Sequence, residues 1–121
     1  MSTPKAPQAI GSYSQAIKVD EHIYCSGQIP LRADGSMVEG SIAEQTEQVL
    51  VNLQAVLEEA GASLEDVVKT TIYLTDLSDF EAVNEVYGSY FPKNPPARAT
   101  VQVSALPKGA KIEIEAVAVL E

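Results

Sequence analysis

Apolar positions recur along this chain with two periods, and the switch between them divides it into elements. Over Ser41–Ala60 the period is helical: Ile42, Val49, Leu50, Leu53, Val56, Leu57 and Ala60 fall on one face. Ser41 with Glu44 three residues on makes a capping box, and Gly61 is placed to take the left-handed residue after the last turn. A second helix is predicted from about Asp79 to Phe91, with Ser78 and Glu81 as its capping box and Phe80, Val83, Tyr87 and Phe91 as its stripe. Pro92, Pro95 and Pro96 stop it. Asn84 lies on the edge of that stripe, where a polar amide is either a buried residue bonded to backbone or a ligand contact.

Elsewhere the apolar and β-branched residues are spaced for strands. Tyr13–Val19 and His22–Gln28 read as a pair joined at Asp20-Glu21. Gly27 interrupts the second, which marks a simple bulge or a close approach by another backbone or a ligand. Ala33-Asp34-Gly35-Ser36 is a turn signal. Val67–Leu74 reads as a third strand, and two more, Ala97–Val103 and Lys111–Leu120, flank a turn-forming segment holding Pro107 and Gly109. Met1–Ser12 is polar, with Pro4 and Pro7, and reads as an extended or mobile entry segment.

The resulting order, ββ-α-β-α-ββ, gives one α+β domain over residues 1–121. Two helices cover one face of the sheet, yet Val67–Leu74 and Ala116–Leu120 are apolar or β-branched on both sides, as strands buried on both faces are. No element remains to cover the second face, so another copy of the chain is expected there, sheet against sheet, with sites at the boundaries between copies.

Composition narrows the chemistry. The chain has 121 residues, 45% of them hydrophobic, enough to bury a core without disulfides; its single cysteine, Cys25, excludes an internal one and points to a reducing compartment. The first residues lack the apolar core of a signal peptide, and no apolar run reaches the ~20 residues of a membrane span. A cytoplasmic protein with no membrane partner is expected. A net charge of −9 argues against nucleic acid as a partner, and any anionic substrate must be held by a local cation.

Residue types exclude several site chemistries. His22 is the only histidine, so a His/Cys metal site within one chain lacks ligands, and no glycine-rich nucleotide loop is present. His22 and Cys25, three apart, point to opposite faces of a regular strand. Glu113 and Glu115 share a strand face about 7 Å apart. Two-carboxylate sugar chemistry is disfavoured, because adjacent acids on an edge strand are usually solvated and the chain has no tryptophan. What remains is arginine with carboxylate. In strands that read as interior, Arg98, Glu113 and Glu115 are costly charges unless paired or used. The planar fork of Arg98 either pairs with one of these acids or binds a substrate carboxylate.

These residues lie in segments that together resemble the RidA/YjgF family of reactive-intermediate deaminases: AIGSYSQAI (9–17), YCSGQIPL (24–31), NLQAVLEEAGASLEDVVKTTIYLTDLSDFEAVNEVY (52–87) and PPARATVQVSALPKGAKIEIEAVAV (95–119). The resemblance implies a chorismate-mutase-like fold with a mixed, mostly antiparallel sheet, a homotrimer with sheets packed inward, and clefts between subunits. It implies hydrolysis of 2-imino acids (2-iminopropanoate, 2-iminobutanoate) to 2-keto acids and ammonia, with no metal or organic cofactor. Arg98 matches the family's carboxylate-binding arginine, and Glu113 its acid, which activates water. Tyr13, Ser26 and Gly27 match other cleft residues, as does Asn84. Thr100 keeps a hydrogen-bonding group, but Ala99-Thr100 replaces a frequent Ser-Cys pair, so thiol-dependent behaviour does not transfer. Ser12 stands where proline is common. The alternative is a non-catalytic trimer that binds small carboxylates or acts like a chaperone. A ribonuclease reading, also attached to this family, is disfavoured by the charge and the absence of a basic stripe.

Overall fold

The computed structural model, which describes residues 2–121, runs β1 (Ala16–Val19), β2 (His22–Gln28), α1 (Ile42–Glu59), β3 (Val67–Leu74), α2 (Phe80–Tyr90), β4 (Ala97–Gln102) and β5 (Ile112–Val119). This is the expected order. The strands form one sheet, β1-β2-β5-β3-β4, in which β3 and β4 are parallel, linked through α2, and the other pairs are antiparallel.

Strand β5 shows how the sheet is built. Ile112, Ile114, Ala116 and Ala118 are buried, while Glu113, Glu115, Val117 and Val119 between them are half-buried. The first set packs under both helices with Leu50, Leu53, Leu57, Val83 and Tyr87. Two-sided burial of this strand is therefore not met within one chain: no helix lies over the second face. Ile17, Val19 and Tyr24, which share that face, are about half exposed.

Local signals set the ends of α1 as expected. Ser41 Oγ accepts the Glu44 N–H at 3.2 Å, Glu44 Oε1 accepts the Ser41 N–H at 3.1 Å, and Gly61 has φ 83°. The Ser78–Glu81 box of α2 does not form. A 3₁₀ turn, Leu77–Asp79, precedes that helix, and Asp76 caps the turn by accepting the Ser78 N–H. The entry segment is also better anchored than expected. Thr3 and Ala6 are buried, and the Gln15 side chain accepts the Thr3 N–H and donates to the Thr3 and Pro7 carbonyls. Met1, which begins the expected entry segment and domain, lies outside the described residues. Among the described residues, no helix is long and apolar enough to cross a membrane.

One placement is corrected: β4, which carries Arg98, is an edge strand of the sheet, not an interior one. Glu113 and Glu115 lie on its central strand, as their interior reading expected, so the edge-strand argument against two-carboxylate chemistry does not apply to them.

Candidate active site

The β2 ladder breaks where the site begins. Its register against β5 shifts between Cys25 and Gln28, a bulge that turns Ser26 and Gly27 out of regular pairing. The bulge reading of Gly27 holds, and what approaches its backbone is a side chain, Glu113, not another backbone. A Cβ at Gly27 would come within 2.4 Å of Glu113 Oε2. Ser26 donates its hydroxyl to the Ser14 carbonyl and its N–H to that of Gln15, tying the bulge to the loop before β1. Tyr13, in that loop, is exposed. Tyr13, Ser26, Gly27, Lys108 and Glu113 line one cavity of about 490 Å³. The carboxyl of Glu113 is raised above its ordinary value, first by burial and second by the negative charge of Glu115.

Arg98 lies in a different place. In the parallel β3/β4 ladder it sits opposite Thr70, whose buried hydroxyl is 2.6 Å from the Tyr87 hydroxyl of α2. Arg98 therefore faces the helices. Its Nη1 donates to Asn84 Oδ1 at 2.7 Å, and its guanidinium carbon stands 5.0 Å from the Tyr87 ring centre and 5.3 Å from that of Phe80. Asn84 thus contacts the arginine, not the backbone. A cavity of about 420 Å³ adjoins it, lined by Arg98, Asn84, Tyr87 and Pro95 among others. Thr100, two residues on and opposite buried Ile72, shares the face of Arg98; its Oγ1 is buried with no hydrogen-bond partner.

The seven candidate residues thus fall into two groups. Glu113 stands opposite Tyr73 on the open face; Arg98 stands opposite Thr70 on the helix face, with β3 between β5 and β4. The structural ion pair of Arg98 with Glu113 or Glu115 is absent for this reason. The contest over the Glu113 proton is decided within the chain by burial and Glu115, not by Arg98.

Three features escaped the sequence reading. Lys108 adopts the left-handed conformation (φ 56°) in the turn before β5 and so reaches the Glu113 cavity. Its signal is the Pro-Lys-Gly triplet, which marks a turn but no direction. Tyr73 donates its hydroxyl to Glu115 Oε1. Asn52, fully buried, donates to the Ile29 and Leu31 carbonyls and holds the segment after β2 against α1. As for other reactive groups, burial pushes the Cys25 thiol up to about 11, and among the described residues no three His, Cys, Asp or Glu side chains gather as a metal site.

The family model described as Endoribonuclease L-PSP matches residues 3–120. A RutC family protein of Pyrococcus abyssi is 57% identical over 98% of this chain and 94% of its own length. The 2-iminobutanoate/2-iminopropanoate deaminase of Rattus norvegicus is 55% identical over 98% of this chain and 88% of its own. Among solved structures, a putative endoribonuclease of Thermotoga maritima superposes with a TM-score of 0.98 at 52% identity, over 99% of this chain and 95% of that one.

Proposed function

This chain belongs to the Endoribonuclease L-PSP family, here also called RidA/YjgF, and on that premise we propose that it hydrolyses reactive 2-imino acids such as 2-iminopropanoate and 2-iminobutanoate to 2-keto acids and ammonia. The observation that carries this reading is the Glu113 carboxyl, half-buried with its proton affinity raised, at the wall of a cavity large enough for a small imino acid and a water. An imine carbon is already electrophilic, so the protein has three tasks: hold the substrate, place a water and move protons.

Arg98 holds the substrate carboxylate. Its charge is permanent, and Asn84 with the Phe80 and Tyr87 rings fixes the guanidinium plane. Thr100, with its hydroxyl unpartnered, adds a hydrogen bond on the same face. Glu113 takes a proton from water as its oxygen bonds to the imine carbon. The same carboxyl then returns a proton to the nitrogen. The C–N bond breaks, the carbonyl forms, and ammonia leaves with the proton lost by the hydroxyl. Tyr13, Ser26 and Gly27 shape the cavity in which this occurs.

Opposite faces cannot close on one substrate, so the site belongs to an oligomer in which Arg98 of one copy meets Glu113 of the next. A homotrimer with its sheets inward satisfies this and covers Ile17, Val19 and Tyr24. The compartment is the cytoplasm. RNA is a poor fit for a chain of net charge −9 whose site cations are Lys108 and Arg98.

The test couples the protein to a pyridoxal-phosphate dehydratase that releases 2-aminoacrylate from serine. Keto-acid formation should accelerate in proportion to added protein. An unchanged rate, with a small carboxylate still binding, would identify a non-catalytic binder instead.

A further inference from the structure

Glu113 has a neighbour that the mechanism above leaves unused. Tyr73 is its register partner across the β3/β5 ladder, yet the Tyr73 hydroxyl passes Glu113 and donates to Glu115, the partner of Thr71. The two acids of the face are therefore unlike. Glu115 has a hydrogen-bond donor, and Glu113 lies against the Gly27 bulge. The donor is permanent, since the hydrogen bond to Glu115, followed by burial, pushes the Tyr73 hydroxyl up to about 12.

The other charged or titratable groups around Glu113 are few. From the β2 side come Ser26 and Gly27, neither of which titrates. Tyr13 from the entry loop and Lys108 from the turn before β5 line the cavity, Lys111 lies two residues before Glu113 in the chain, and Lys69 of β3 lies farther along the open face, opposite Val117. Of these, Glu115 is the negative group that shares its strand face.

We propose that Glu115, held by Tyr73, is a positioning residue for the deaminase reaction: it acts through Glu113, making that carboxyl the one that takes and returns the proton. Of two like carboxyls on one strand face, each disfavours the other's ionised form, and the one lacking a donor takes a proton first. Tyr73 sets that asymmetry. A stronger base at Glu113 takes the water proton more readily, and its conjugate acid still delivers one to nitrogen. The inference rests on the proposed function, but its first readout does not.

The test compares wild type, Glu115→Gln and Tyr73→Phe as full-length, assembled protein. The Glu113 carboxyl carbon is followed by ¹³C NMR titration, its resonance assigned by its loss in Glu113→Gln. Both variants should move the Glu113 midpoint to lower pH, Glu115→Gln the further, because it removes the charge rather than the donor. The acid limb of the kcat/KM profile for keto-acid formation should move with it, and the neutral-pH rate should fall by roughly 2- to 5-fold.

A Glu113 midpoint unmoved in both variants overturns the proposal. So does a lower rate with an unmoved limb, which is the mark of a structural role. A midpoint that moves while no variant or wild type forms keto acid leaves the Glu113–Glu115 coupling standing and rejects the enzymatic reading instead.

Discussion

The Arg98 pocket and the Glu113 cavity are built on opposite plans. Arg98 stands on the closed face, its guanidinium fixed by Asn84 and two rings of α2, and its charge does not change with pH. Glu113 stands on the open face against a strand bulge, and burial and a neighbouring acid set its charge. On the proposed reading, one half of the site is an exposed guanidinium laid against α2, and the other is a titrating group on the uncovered face of the sheet. Substrate binding and proton transfer fall, on that reading, to different faces, and a second copy would bring them together.

The largest effect should come from the titrating half. Glu113→Gln keeps the shape and removes the base, so kcat should fall by roughly 10²–10⁴-fold while the fold survives. A Glu113→Gln protein with wild-type initial rates would move water activation elsewhere. Next comes the anchor. Arg98→Lys keeps the charge but loses the fork and the plane stacked on Tyr87 and Phe80, and should cost about 10- to 100-fold in kcat/KM. Unchanged kinetics in Arg98→Lys would mean that charge alone anchors the substrate.

Gly27→Ala probes the bulge that links the cavity to β5. A methyl there collides with the Glu113 carboxylate and must displace it, so kcat should drop about tenfold, with Tm lowered by a few degrees as overpacking costs about 1–3 kcal/mol. Equal kcat in this variant would show that the observed approach of Glu113 to Gly27 is not needed. The smallest effect is on stability. Because burial raises the folded-state value of Glu113, the native state holds that proton more tightly than the unfolded chain does. Its contribution is fully present below the unfolded value and is lost as pH rises through the folded one. Glu113→Gln should therefore melt slightly higher than wild type at pH 7, and the gap should close below about pH 4. A gap that widens on acidification would reverse the sign.

The same contrast separates what could be read in the sequence from what could not. The closed face was legible because its causes are local: the helical stripe from Val49 to Ala60, the Ser41–Glu44 box and Gly61 each act within a few residues. β2 and β3 were legible end to end from their alternation and β-branched content. The α2 cap was misplaced because Asp76, two residues upstream of Ser78, competes for the same backbone donor. That the candidate residues fall into two clusters emerged only with the ladder. Neither that Arg98 faces Thr70 nor that Glu113 faces Tyr73 can be read along the chain, since strand register depends on partners distant in sequence. Lys108 escaped for a similar reason: its direction comes from a left-handed backbone that many turns do not have.

The most direct test of a site shared between copies is complementation. Arg98→Ala and Glu113→Gln, each close to inactive alone, are unfolded together in equal amounts, refolded and assayed. In a randomly mixed trimer, each mixed molecule holds one boundary with both Arg98 and Glu113 intact, so activity should return to about a quarter of the wild-type value. Mixed trimers that stay as inactive as their parents would place Arg98 and Glu113 in one chain's site and contradict the account.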